Sequence, residues 1–285
     1  MTEQTNTNQI NDEEHKLGFI IPSYCATELH FRQLNRCIDS IRKHYQHNKI
    51  IIINDYSKFD IETHYQNDKN IIVVKSLNKG GADMQTFKIF MEYDLFDKAV
   101  IMQDSMMLEN KLVNTESVEN IKFLWHFTNH VPHWDIIPEP RTEYNIKNGI
   151  VMHTDLIRDK IKNDFSSNTE FSQFSFDKLI KKNEWVGCFG CLCIISKKFL
   201  IQMNSKVNFI DTFVKYTDNR DRRAAESIFA LICHFVLRDD KFYESYDGLY
   251  YDGVHANPYV NVPTGYDGLL YCCRKFYFSK VSFNR

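Results

Sequence analysis

Between residues 17 and 108 the chain carries four short apolar runs: Leu17-Gly18-Phe19-Ile20-Ile21, Lys49-Ile50-Ile51-Ile52-Ile53, Asn70-Ile71-Ile72-Val73-Val74 and Ala99-Val100-Ile101-Met102. Short runs without polar alternation suit strands buried on both faces, as in a parallel sheet covered by helices. Between the first two, Leu34, Cys37, Ile38, Ile41 and Tyr45 recur at helical spacing, with Arg32, Arg36, Arg42 and Lys43 around the rest of the turn. That pattern predicts an amphipathic helix from Glu28 to Tyr45. Met84, Phe87, Phe90 and Met91 mark another helix before the fourth run. Strands alternating with helices predict an α/β protein whose parallel sheet is built from right-handed crossovers.

The ends of these runs hold the polar residues of interest. The fourth run stops at Gln103-Asp104-Ser105 and becomes apolar again at Met106-Met107-Leu108. In open α/β sheets ligands bind outside the carboxyl ends of the strands, where Asp104 falls. The alternative is an Asp that caps the turn after the strand. Asp55, in Asn54-Asp55-Tyr56-Ser57, occupies the same place after the second run. Pro22-Ser23-Tyr24 forms the loop after the first run, and Asn78-Lys79-Gly80-Gly81-Ala82 follows the third.

The second half is less regular. Phe123 to Phe127 and His130 to Trp134 are rich in aromatic residues and histidine, and Trp185-Val186-Gly187-Cys188-Phe189-Gly190 leads into an expected strand from Cys191 to Ile195, then a helix from Lys197. Arg222 to Cys233 is apolar nearly all round, which predicts a mostly buried helix whose carboxylate is Glu226. Glu226 serves either as a functional carboxylate or as an ion-pair partner of Arg222 one turn earlier. The segment from Tyr243 to Phe283 is crowded with Tyr, Gly and Asp and includes His255.

Composition narrows the classes. The 285 residues can bury a large core, and 35 basic against 37 acidic residues, a net charge of -2, argue against general nucleic-acid or membrane-surface binding. Residues 1–16 are polar and acidic, which predicts a disordered tail with no basic-then-apolar leader. No apolar run is long enough to span a membrane, so a soluble, cytoplasmic protein is expected. Of the 8 cysteines, Cys193 and Cys233 lie in apolar runs and Cys272 and Cys273 are adjacent. They read as reduced thiols; Cys188, Cys191 and Cys193 lack paired C-x-x-C knuckles, so packing is the default over zinc.

In order and spacing, these pieces over residues 17 to 240 resemble the GT-A fold glycosyltransferases, in particular the family 2-like group. Pro22-Ser23-Tyr24 looks like the first nucleotide-binding loop, and Asn54-Asp55-Tyr56-Ser57 is similar to the Asp-Asp-Gly-Ser turn whose second acid reads the base. Asn78-Lys79-Gly80-Gly81 resembles the Asn-x-Gly segment that lets backbone approach the nucleotide. Gln103-Asp104-Ser105-Met106 falls where the family carries the metal-holding Asp-x-Asp. Trp185, Gly187 and Cys188 lie in what looks like the acceptor loop, and Arg223-Ala224-Ala225-Glu226 resembles the helix start that supplies the catalytic base.

The resemblance implies a single large domain with a mixed, mostly parallel central sheet flanked by helices. Residues 17–110 would form the nucleotide-sugar half and 111–285 the acceptor half. It implies inverting transfer from a nucleotide sugar to a hydroxyl of a glycan or other acceptor, with Glu226 as base, Asp55 as base reader and Asp104 as metal or ribose-diphosphate anchor. Mn²⁺ or Mg²⁺ is the implied cofactor, with His255 as an additional ligand unless it is an ordinary loop residue; His126, His130 and His153 rank behind it. Three departures stand out: Asn54 for the first Asp of the turn, Tyr56 for its Gly, and Met106 for the second Asp of the metal pair. Thioether sulfur is a poor ligand for a hard cation. Either Asp104 holds the metal with phosphate oxygens and another side chain, or no metal binds. Met106 also leaves open a catalytically silent nucleotide-sugar or glycan-binding module, against which a carboxylate at Glu226 counts. A nucleotidyltransferase is disfavoured because no basic glycine-rich signature follows the first strand. Trp185 and the aromatic residues from Trp125 to Trp134 either stack on sugars or belong to the core.

Overall fold

The computed structural model describes residues 16–108, 111–112, 114–124, 126–128, 155–174, 186–238 and 273–275. In chain order the first half forms β1 (Leu17–Ser23), α1 (Glu28–His44), β2 (Ile50–Asn54), α2 (Ile61–Tyr65), β3 (Ile71–Lys75), α3 (Ala82–Glu92), β4 (Lys98–Ile101), β5 (Met106–Leu108), β6 (Ile121–Phe123) and β7 (His126–Thr128). The second half forms α4 (155–164), α5 (Thr169–Ser172), β8 (Val186–Cys188), β9 (Cys193–Ser196), α6 (Lys197–Val207), α7 (Ile210–Phe213), α8 (Asn219–Leu237) and β10 (Cys273–Lys275).

The main sheet has six strands in the order β3-β2-β1-β4-β9-β6. β1 to β4 are parallel, and β9 runs antiparallel to both β4 and β6. The sheet is therefore mixed and mostly parallel, with helices on its faces. Side chains along β1 and β2 alternate between two cores: Ile20, Ile51 and Ile53 pack with Phe87, Phe90, Phe199 and Phe229 from α3, α6 and α8, while Phe19, Ile21, Ile50 and Ile52 pack with Leu34, Cys37, Ile38 and Ile41 from α1. Both faces of the sheet are covered, which is why these strands read as unbroken apolar runs.

Local chemistry sets the ends of the elements. Thr27 caps α1 by accepting from the His30 N–H at 3.3 Å, and Asp218 caps α8 by accepting from Asp221 N–H at 2.7 Å. Arg238 ends α8 in the left-handed region at φ 49°.

Three expectations need correction. Pro22 and Ser23 belong to β1, not to the loop after it, and pair with Ile53 and Asn54. Phe19 donates to Lys49 O on the β2 side, so alternation turns Pro22 toward β4, where pairing has already ended at Ile20–Ile101; the missing proline N–H interrupts no ladder. The strand expected from Cys191 begins at Cys193, because Phe189–Cys191 forms a tight turn in which Gly190 and Cys191 take φ of 60° and 54°. The third is α8, which begins at Asn219, so Glu226 lies about two turns inside the helix and not at its start.

Cys188, Cys191, Cys193 and Cys233 are buried free thiols. Among the described residues no helix is long and apolar enough to cross a membrane. The expected tail over residues 1–15, Trp185, His255, His130, His153 and most of the aromatic segment to Trp134 lie outside the described residues.

Candidate functional site

The carboxyl ends of β1 to β4 bring together residues that are far apart in sequence. Ser23, buried at the end of β1, donates its Oγ hydrogen to Asp104 Oδ2 at 2.9 Å, and its carbonyl accepts from Asp55 N–H at 2.8 Å. Pro22 lies buried beneath, and Tyr24 is half-buried just beyond. Cys25 lies beside Ser23, with 3.4 Å between Sγ and Oγ, and burial pushes its thiol up to about 11. It is an inert neighbour of the site and no nucleophile.

The turn after β2 is built around Asn54. Its Oδ1 accepts from Ser57 N–H at 2.9 Å and its Nδ2 donates to Glu62 Oε1 at 2.8 Å. An Asp at this position would lose the donor and set two carboxylates together, which accounts for the first departure from the resembled turn. Asp55 is 8% exposed, and both of its carboxylate oxygens accept from the Gly80 N–H, at 2.8 and 3.0 Å. Burial raises its pKa; the Gly80 N–H opposes that, the Asp83 carboxylate adds to it, and Ser76 and Arg222 oppose it.

The loop after β3 is fixed by backbone. Ser76 Oγ donates to Asn78 O at 2.6 Å, Gly81 N–H donates to the same carbonyl at 3.1 Å, and Asn78 Nδ2 donates to Val214 O at 3.1 Å. Gly81 is the N-cap of α3. Gly80 has φ +82°, and a Cβ there would sit 2.6 Å from the Thr217 carbonyl oxygen. Gly80→Ala is accordingly expected to cost about 1–3 kcal/mol in urea unfolding, because both the backbone angle and a rigid carbonyl resist it. A loss under about 0.5 kcal/mol, the range of an ordinary surface substitution, would show that the loop yields freely.

On the other side of Asp104, the Gln103 side-chain amide crosses over Gly190: a Cβ at Gly190 would lie 2.9 Å from Gln103 Nε2. Cys191, next in that turn, is buried, and its thiol is pushed well above the usual range by burial and then by the Glu226 carboxylate. α8 packs against this turn, and half-buried Glu226 lies near enough for its charge to act on the Cys191 thiol. Gly187 and Cys188 are buried, Gly187 paired with Phe127 and the Cys188 thiol directed to Leu192 O at 3.4 Å. Their strand β8 packs against α8; the residue that meets Gln103 is Gly190.

Asp83, and the pairing of Arg222 with it, escape a reading of the sequence. Asp83 in the first turn of α3 ion-pairs with Arg222, Oδ2 to Nη1 at 3.0 Å, and both act on Asp55. The available signal is an Asp directly after Gly-Gly-Ala, but its partner is 139 residues away.

A divalent cation fits the described residues poorly. Asp104 offers one carboxylate, already accepting from Ser23, and Met106 at the second motif position is 2% exposed and packed in the core beneath α1. Among the described residues no group of three or more His, Cys, Asp or Glu side chains is arranged to hold a metal. Mg²⁺-like cations at phosphate sites are held by one or two carboxylates with substrate phosphate and water; here Asp104 is the one carboxylate and the second motif position supplies none.

No family model matches the sequence, and no curated protein matches it. Among solved structures, S. aureus TarS 1-349 is similar at 14% identity and TM-score 0.29, over 36% of this chain and 31% of that one. The same protein in complex with UDP is similar at 15% identity and TM-score 0.29, over 36% and 30% of the two chains. GalNAc-T7 with UDP, GalNAc and Mn²⁺ is similar at 12% identity and TM-score 0.29, over 35% of this chain and 19% of that one. The chain thus spans less than a third of the length of each of these structures.

Proposed function

We propose that the protein is a glycosyltransferase that moves a sugar from a nucleotide-sugar donor to a hydroxyl of a glycan or other acceptor, with inversion. The observation that carries this reading is the convergence of Ser23, Asp55, Gly80 and Asp104 at the carboxyl ends of parallel strands, with α8, the helix of Glu226, packed against the adjoining Gly190–Cys191 turn. Residues 17–110 hold the donor and 111–285 the acceptor. Asp55 accepts from the base, the backbone at Asn78, Gly80 and Gly81 lies along the nucleotide, and Pro22, Ser23, Tyr24 and Gln103 complete its walls. Asp104 accepts from the ribose hydroxyls, a role that suits a lone carboxylate beside a hydroxyl donor.

In the transfer step the acceptor oxygen attacks the anomeric carbon as the bond to the diphosphate breaks, and the acceptor proton passes to Glu226. The acceptor lies at the turn that follows Trp185, Gly187 and Cys188. Were Mn²⁺ or Mg²⁺ bound, Asp104 would hold it with the donor's phosphate oxygens and no second carboxylate from the motif, and His255 lies outside the described residues.

Met106, buried where a ligand is expected, favours a second reading: a binding module of the same fold that holds a nucleotide sugar without turning it over. Donor hydrolysis separates the two. Slow release of free nucleotide from UDP-, GDP- or dTDP-sugar, above the rate without protein, is expected of a transferase using water as a poor acceptor. Binding with no release, even with glycan acceptors added, would assign the module.

A further inference from the structure

Tyr56 is out of keeping with its position. A bulky L side chain is disfavoured in the left-handed region, where Gly, Asn or Asp serve a turn better, yet Tyr56 sits there at φ 57°. The ring is not repaid by burial: it is 40% exposed. Lys75 Nζ lies over the ring, 4.6 Å from its centroid, a cation–π contact that steadies it. Only three large hydrophobic residues among those described are exposed, and two of them, Tyr56 and Leu77, follow the paired residues Asn54 and Lys75 at the ends of β2 and β3. A strained, exposed aromatic at a strand end points to use by a ligand.

Its neighbour says which ligand. Asp55 directs both carboxylate oxygens at the Gly80 N–H, so a ring held by its remaining lone pairs is held by its edge and needs a surface for its face. Tyr56 is the next residue, one Cα step away. We propose that the Tyr56 ring, backed by Lys75, is the stacking platform for the nucleobase of the donor; this rests on the nucleotide-sugar reading above. The platform is indifferent to base identity, since every base has a π-face, and leaves selectivity to the edge contact at Asp55.

Calorimetric titration of the full chain with UDP, GDP, dTDP and CMP tests it. For whichever nucleotide binds the wild type most tightly, Tyr56→Asn is expected to weaken binding about 5- to 100-fold, and Tyr56→Phe, which keeps the ring, to restore most of it. Because Asn tolerates the left-handed region, the melting temperature of Tyr56→Asn should equal or exceed that of the wild type. Wild-type binding that Tyr56→Asn leaves unchanged overturns the platform and leaves the transferase reading standing. Weakened binding together with a clearly lower melting temperature also overturns it, because the ring would then be holding the turn. No binding of any nucleotide by the wild type overturns both.

Discussion

Glu226→Gln is expected to lower sugar transfer about 10²- to 10⁴-fold, the usual worth of a general base, with nucleotide affinity unchanged. The substitution keeps size and hydrogen-bonding reach and removes only the ability to take the acceptor proton. The placement supports a reactive role: Glu226 is half-buried between buried Ala225 and Ser227 on a helix that is otherwise largely core and that packs against the Gly190–Cys191 turn. One turn earlier, Arg222 reaches across to Asp83 on α3. Nucleotide release and product formation, measured with the tightest-binding donor, read the effect. Transfer at the wild-type rate in Glu226→Gln would remove the base from this residue, and an equal loss of donor affinity would make it a structural carboxylate.

Phe229→Ala is expected to lower stability to urea by about 3–5 kcal/mol. Phe229 is fully buried and stacks on Phe87 of α3 at 4.5 Å between centroids, with Phe209 and Phe123 each at 6.2 Å. Four rings from two helices, a sheet strand and the segment before α7 meet there, so the cavity left by truncation has rigid walls and cannot collapse. Phe229 lies one turn after Glu226, so this cluster also fixes how far Glu226 stands from the strand ends. The unfolding midpoint should fall with little change in slope; a loss below about 1 kcal/mol would mean that the cluster repacks.

The parts of the fold legible in the sequence are those whose physical cause is local. The isoleucine run of β2 and the helical spacing of Leu34, Cys37, Ile38 and Ile41 report burial, and the structure places them accordingly; the equally apolar run of β3 is a half-buried edge strand, because no further strand covers its outer side. The direction of β9 is not written that way, because a run such as Cys193-Ile194-Ile195 is equally apolar parallel or antiparallel to β4. The start of α8 was legible in principle: Asp218 followed three residues later by Asp221 is a capping pattern, masked by the charged residues before the apolar stretch.

The same division holds at the candidate site. Asp55, Gly80 and Asp104 stand out because they interrupt or follow apolar runs. The role of Asn54 is invisible until Glu62 is seen beside it, and the Asp83–Arg222 pair depends on the packing of α3 against α8. Met106 shows the limit of motif reading. The sequence raises the choice between ligand and core, and only its place beneath α1 gives the physical reason a carboxylate is missing.

The most direct measurement is a thermal-shift series of the purified chain against UDP-, GDP-, dTDP- and CMP-sugars, each with and without Mn²⁺, repeated on Asp55→Asn. A ligand that binds only the folded state at about 100 times its Kd adds about 2.7 kcal/mol, which for a domain of this size raises the midpoint by roughly 5–10 °C. The expected result is such a rise with one nucleotide over the others, independent of Mn²⁺ and lost in Asp55→Asn. Midpoints that do not move with any donor, with or without the metal, would contradict a nucleotide-sugar site at these strand ends.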